Sequence, residues 1–355
     1  MRTSRMSLAP AAVACTIGVA ALVGLASVGC SSENAAAPPP PPVDWHAFDV
    51  PHGPIAETSG PTPRERAAAG AYAAALASPE MEGLAALLDG DVHFTFGGAH
   101  DARGKEATLN AHKAIFGAFD KRQVAVTRVW RTDGEQTVEW TMSGVQAHDW
   151  MGVPATGKPV TFRGCTLLFT KDDGTLREIH VYVDVAVVKT QLGAGPKELA
   201  GLPPATMPAG TPQVIDQAHT PEEARNVTVA KAALDALEKN DEAAFLATMA
   251  DDVQVETAER PAPMHGRDDL KAYFRQMHKA IGQLDTTVDN AWGVGDYAIV
   301  EYFVSGEQIA QFAWIPPQRD RVIRLEMVDV LEIKNGKIGH VWRYADPAEI
   351  AGEKP

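Results

Sequence analysis

The segment from Glu178 to Gly193, EIHVYVDVAVVKTQLG, sets His180, Tyr182 and Asp184 at alternate positions among aliphatic residues. Alternate residues of an extended strand share a face, so this spacing lines up an imidazole, a phenol and a carboxylate. A carboxylate held in apolar surroundings resists ionisation and becomes a usable proton acceptor, while Tyr and His beside it orient or polarise a substrate oxygen. The chemistry implied is proton transfer. Near the other end of the chain GHVWRYAD repeats the row with His340, Trp342, Tyr344 and Asp346. The plainer alternative is that each Asp bonds backbone amides at a strand end while Tyr and His fill core. In the second copy the opposite face carries Val341, Arg343 and Ala345, and Arg is rarely buried in a small apolar cavity. The His/Tyr/Asp row is therefore expected to look inward.

Other candidates for a pocket wall are Tyr72 on a first helix, His93 on a first strand, His112 on a third helix and Trp140 on a central strand. His148, Trp150 and Met151 in QAHDWMGVP lie on a connecting loop that serves either as a lid or as a packing surface for the other domain or a dimer mate. The histidines are dispersed and neither HExxH nor CxxC occurs, so no metal site is expected. FGGAH lacks the Lys and Ser/Thr of a phosphate loop. Cys165, in VTFRGCTLLFT, reads as a small buried hydrophobe.

These residues need elements to position them, and the chain supplies them twice. TPRE at Thr62 and TPEE at Thr220 each give a capping residue, a Pro at the first helical position and a Glu three residues on. The shift from Asp184 to Asp346 is 162 positions. Applied without gaps it superimposes Gly104 on Gly266, Trp130 on Trp292, Glu139 on Glu301, Ser143-Gly144 on Ser305-Gly306, Pro154 on Pro316 and Tyr182 on Tyr344. Each copy runs helix, helix, strand, helix and then further strands. The pattern predicts an α+β class with two tandem cone-shaped domains, each of three N-terminal helices packed on a strongly curved antiparallel sheet. The domains are placed at 62–193 and 220–350, joined by a Pro/Gly-rich linker at 194–219. A cone of this kind encloses a mostly apolar pocket.

The 355 residues are 45% hydrophobic, enough for two ordinary domains, and a net charge of −14 with no basic block argues against a nucleic-acid partner. Arg2 and Arg5 precede an apolar run ending LASVGC at Cys30, the layout of a secretory signal over residues 1–29. The junction resembles a bacterial lipobox, although Ser27 stands where a branched aliphatic is usual. The expectation is a chain lipidated at Cys30 and held at the bacterial cell envelope, with SSENAAAPPPPP within 30–61 as tether; the alternatives are an uncleaved N-terminal membrane anchor and simple secretion.

GKEATLNAHKAIFGAF, PATGKPVTFRG, DDGTL and YVDVAVVKTQLG resemble the SnoaL-like polyketide cyclases of the nuclear transport factor 2-like superfamily. The resemblance covers about 62–193 and implies that Asp184 is the general acid/base of a cofactor-free ring closure. Gln146 stands where cyclases usually carry a His. The second copy, through VDVLEIKNGKI, resembles the ketosteroid-isomerase-like branch, which implies that Asp329 helps bind an enolate oxygen. That branch's base would fall at Thr95 or Thr257, neither of which can act as one, and its helix-1 Tyr is approximated by Tyr72 alone. Two functions follow as expectations: cyclase- or isomerase-like chemistry on a small apolar carbonyl compound, or ligand binding and assembly without catalysis.

Overall fold

A computed structural model describes residues 63–97, 100–317, 322–347 and 350. Cys30, the tether and the capping Thr62 lie outside the described residues. Helices α1 (Pro63–Ala77), α2 (Leu84–Leu87) and α3 (Lys105–Ile115) lead into β3 (Phe119–Arg131), β4 (Glu135–Gln146), β5 (Pro159–Thr170) and β6 (Leu176–Tyr182), with β1 (Leu88–Phe96) and β2 (His100–Arg103) between α2 and α3. The second copy has α5 (Pro221–Glu238), α6 (Glu242–Ala247), β8 (Met249–Glu256), β9 (Met264–His265), α7 (Gly266–Ala280), β10 (Ile281–Val294), β11 (Tyr297–Gln308), β12 (Val322–Lys334) and β13 (Lys337–Ala345).

The capping signal is seen at work in the second copy, and the turn Gly and loop Gln signals in both. Thr220 accepts from the Glu223 amide and Glu223 returns the bond to the Thr220 amide, closing the capping box of α5. Gly104 and Gly266 take φ of 84° and 76° at the entry to α3 and α7, a left-handed region open to Gly without strain. Gln146 donates to the carbonyls of Val153 and Pro154, and Gln308 to those of Ile315 and Pro316, which pins the same loop in each copy. The 162-residue shift thus extends to the hydrogen bonds.

Each sheet is mixed where an all-antiparallel one was expected. The orders are β2-β1-β6-β5-β4-β3 and β10-β11-β12-β13-β8-β9, with β1 parallel to β6 and β8 parallel to β13. The first strand lies beside the last in each case, with the third helix between it and the antiparallel meander in sequence.

Two segments depart from expectation. The last strand of the first copy stops at Tyr182, and Val185–Leu192 form a helix, α4, capped by Asp184 and ended by Gly193 at φ 85°. Four consecutive aliphatics suit a strand by propensity, but the flanking Asp and Gly supply both helix caps. The linker is not a free tether either. Residues 197–199 make a 3-10 turn that buries Leu199, and Gln213–Asp216 form β7, which pairs in parallel with β3 at the edge of the first sheet.

Each cone has its own apolar core. A third cluster, with Trp130, Cys165, Leu167, Phe169 and Tyr182 on one side and Ile299, Val328, Val330 and Tyr344 on the other, joins the outer faces of the two sheets. Cys165 is fully buried in it, as its strand pattern implied.

Candidate functional site

Where the polar rows point is the first question, and the answer reverses the expectation. Ile179, Val181 and Val183 fill the first cone, while His180 and Tyr182 face the other domain. Tyr182 donates to Glu301 Oε1 at 2.7 Å and His180 Nδ1 lies 2.7 Å from the same oxygen. Tyr344 reciprocates, donating to Glu139 Oε1 at 2.7 Å. Asn290 donates to the other oxygen of Glu301, as Arg128 does to Glu139. Burial would raise the Glu301 carboxyl, but His180, Tyr182 and Asn290 together hold it below its ordinary range. Trp342 stacks on His340 at 3.8 Å and carries the Arg128 guanidinium 3.6 Å above its ring. Histidine 180, both tyrosines and Trp342 are therefore seam residues between domains.

Asp184 is buried and accepts from the Val187 amide at 3.0 Å, the plainer of the two roles foreseen for it. Burial, then the carboxylates of Asp346 and Glu259, raise its pKa well above the usual range. Its electrostatic neighbours thus belong to the second domain, and it stands at the boundary rather than inside the first cone.

The first cone is packed shut. His112 Nδ1 donates to the Thr108 carbonyl, so Nε2 accepts from the Tyr72 hydroxyl at 2.9 Å. Burial depresses the His112 pKa to about 4, which keeps the ring neutral. Phe94 and Phe116 pack against the His112 ring, Phe162 packs against Trp140, and Trp140 donates to Thr166. Tyr72, His112 and Trp140 are core residues, and Gln146 is spent on its loop. Trp150 is buried under that loop, donating to the Ile115 carbonyl, so the segment is fixed in place instead of forming a lid. His93 lies on β1, away from the cone.

The second cone is open. Asp329 on β12 and Arg343 on β13 are directly paired across the strands, and Arg343 grips both carboxylate oxygens, at 2.9 and 2.7 Å. Tyr302 on β11 donates to Asp329 at 2.9 Å and accepts from Arg343 at 3.1 Å. Tyr273 on α7 accepts from Arg343 Nη1 at 2.6 Å. An inner chamber of about 40 Å³ is lined by these four groups and by aliphatics of α5, α6 and β8. An outer chamber of about 320 Å³ shares Met264, Tyr273 and Arg343 with it and opens past Thr257, Glu259 and Trp314. Glu198 and Leu199, from the segment following the first domain, line its mouth. Asp329 is the one residue assigned from sequence that stands in this cone. Tyr273, Tyr302 and Arg343 were missed; the signal for Arg343 was its place in the aliphatic row, opposite the polar one, read the wrong way round.

Two stretches of the chain match known families. Residues 66–192 match the SnoaL-like polyketide cyclase family, and residues 230–341 match the SnoaL-like domain family. The chain carries two tandem SnoaL-like domains. Solved structures similar to one SnoaL-like domain include a putative SnoaL-like polyketide cyclase from Jannaschia sp. CCS1, 19% identical, covering 39% of this chain and 100% of that one with a TM-score of 0.35. A putative ketosteroid isomerase from Kribbella flavida is 21% identical over 36% of this chain and 82% of its own, with a TM-score of 0.29. A protein of ketosteroid isomerase-like fold from Catenulispora acidiphila, solved with trimethylamine, is 16% identical over 36% and 91%, with a TM-score of 0.31. No curated protein matches the chain.

Proposed function

We propose that the second SnoaL-like domain binds a small, mostly apolar compound bearing a carbonyl or carboxyl oxygen, without a cofactor. The observation that carries this reading is a pair of chambers whose apolar walls converge on spare hydrogen-bond donors. Tyr273 accepts from Arg343 and so keeps its own proton to donate, and burial raises its pKa so that the phenol stays neutral. The Thr257 hydroxyl, buried on the outer wall, has no hydrogen-bond partner among the described residues. The outer chamber sits at the lower end of the range of about 300–1,000 Å³ usual for small-molecule sites.

Acid/base catalysis is the extension of the same site that the family resemblance supports. Tyr273 would polarise the ligand oxygen, and Glu259, less exposed than Glu198 on the same wall, would be the carboxylate that moves a proton. Asp329 already takes three hydrogen bonds and is poorly suited to that task. Asp184 lines neither chamber.

Trp314 at the mouth offers the readout. A panel of small cyclic ketones and carboxylic acids should change its fluorescence, and Tyr273→Phe should weaken the best ligand roughly tenfold, the worth of one buried hydrogen bond. Tyr72→Phe in the closed cone should leave affinity unchanged. A response insensitive to Tyr273→Phe would place the ligand elsewhere and sink the proposal.

We further propose that the chain is held at the bacterial cell envelope by lipid on Cys30, supported by the signal-like run and the Gly29-Cys30 junction. Mass spectrometry should find an acylated N-terminal Cys30. Cys30→Ser protein that stays in the membrane fraction would refute this.

A further inference from the structure

Sequence spacing disperses the histidines, but parallel pairing of β1 with β6 brings two of them back together. His93 lies opposite Glu178, and Thr95 opposite His180, so His93, Glu178 and His180 share the outer face of the first sheet. One ligand atom from each lies within 4.8 Å of the other two. His93 Nε2 is buried and has no hydrogen-bond partner among the described residues, although Asp101 Oδ1 on β2 stands 3.1 Å away in a poor direction for one. His180 Nε2 is 3.6 Å from Glu178 Oε2, while Arg177 occupies the other oxygen of Glu178.

We propose that His93, His180 and Glu178 bind a divalent transition-metal ion such as zinc, with the fourth position left to water or another ligand. Tetrahedral zinc with bonds of about 2.0–2.1 Å separates its ligand atoms by about 3.3 Å. His180 Nε2 and Glu178 Oε2 stand 3.6 Å apart, near that figure, and the His93 ligand atom lies within 4.8 Å of both, so metal binding would draw His93 inward by a rotamer adjustment. Two imidazoles and one carboxylate make a borderline donor set that suits zinc better than calcium or magnesium, which favour oxygen alone.

The surroundings supply what a metal-bound histidine requires. His180 Nδ1 is 2.7 Å from Glu301, a carboxylate that fixes the ring and leaves Nε2 as the metal-facing atom. That partner comes from the other domain, so the seam itself orients one ligand. Side-chain exposures of 21% for His93 and 30% for Glu178 leave an entry path for the ion. The site lies outside the second cone and is independent of what that cone binds.

The test is zinc titration of the full chain after stripping with EDTA, followed by calorimetry and by the visible spectrum of a cobalt(II) substitute. One ion per chain with a dissociation constant at or below the micromolar range is expected. His93→Ala and Glu178→Gln should each weaken it at least tenfold, with circular dichroism unchanged. Glu301→Gln, a positioning change, should weaken it about 10-fold to 100-fold while the cobalt spectrum stays tetrahedral. His148→Ala, an exposed histidine elsewhere, should have no effect. Stripped protein that takes up no zinc at micromolar concentration, or uptake that survives both His93→Ala and Glu178→Gln, would overturn the assignment.

Discussion

Asp184 is kept neutral by burial first and then by the carboxylates of Asp346 and Glu259. Its folded pKa lies above its unfolded value, so the native state holds a proton that the unfolded chain releases above about pH 4. Stability from this group is complete below the unfolded pKa and is lost as pH rises through the folded one. Asp184→Asn should therefore match the wild type near pH 4 and exceed it at pH 8 by roughly 1–4 kcal/mol, because the amide keeps the cap to Val187 and removes the charge. Urea melts across that range would show a gap that widens with pH; a constant gap would mean that Asp184 does not titrate there. Tyr344 poses the complementary case. Its hydroxyl serves the buried Glu139, and Tyr344→Phe should cost roughly 1.5–3 kcal/mol, the worth of a hydrogen bond to a charged group. A loss below about 0.5 kcal/mol would show that Glu139 finds another donor. Both residues were visible in the sequence, yet their direction was not. The face was chosen on the rule that Arg avoids apolar cavities, and that rule lapses when a carboxylate sits directly across the strand, as Asp329 does for Arg343.

At the scale of elements, periodicity and caps located most helices and strands, and failed where one stretch satisfied two patterns. Val185–Val188 suit a strand, but Asp184 and Gly193 cap a helix over the same residues, and the caps prevail once the strand has lost its partner beyond Tyr182. The mixed pairing was illegible because parallel neighbours are distant in sequence, and with it went the meeting of His93 and His180. Strand β5 carries a further constraint. Gly164 pairs with Trp140 across the strands, and a Cβ at Gly164 would stand 2.3 Å from the indole ring, where a core aromatic has no room to yield. Gly164→Ala should destabilise the protein by roughly 1–3 kcal/mol and change the Trp140 environment in near-ultraviolet circular dichroism. An unchanged spectrum with unchanged stability would mean that the ring shifts without cost.

For the whole molecule, one constant offset disclosed the duplication, whereas nothing local told which faces would meet. The doubled Glu139 and Glu301, each in an apolar strand, were the overlooked sign: a buried carboxylate needs a donor, and each finds it in the other domain. The two cones then differ in fate, one filled by Tyr72, His112 and Phe94, the other left open around Arg343. The joint apolar cluster and the crossed Tyr–Glu bonds make the domains interdependent, although the linker is long enough for independent units. Exposed residues near 203–212, between the buried Leu199 and β7, are the natural site of a first proteolytic cut. The two fragments should nonetheless elute together from a sizing column, because separation would expose Trp130, Ile299 and Val330 and strand two buried carboxylates. Nicked protein should likewise melt in a single transition close to that of the intact chain. Fragments that separate without denaturant, each retaining its own sharp transition, would show that the seam contributes little and that each cone is stable on its own.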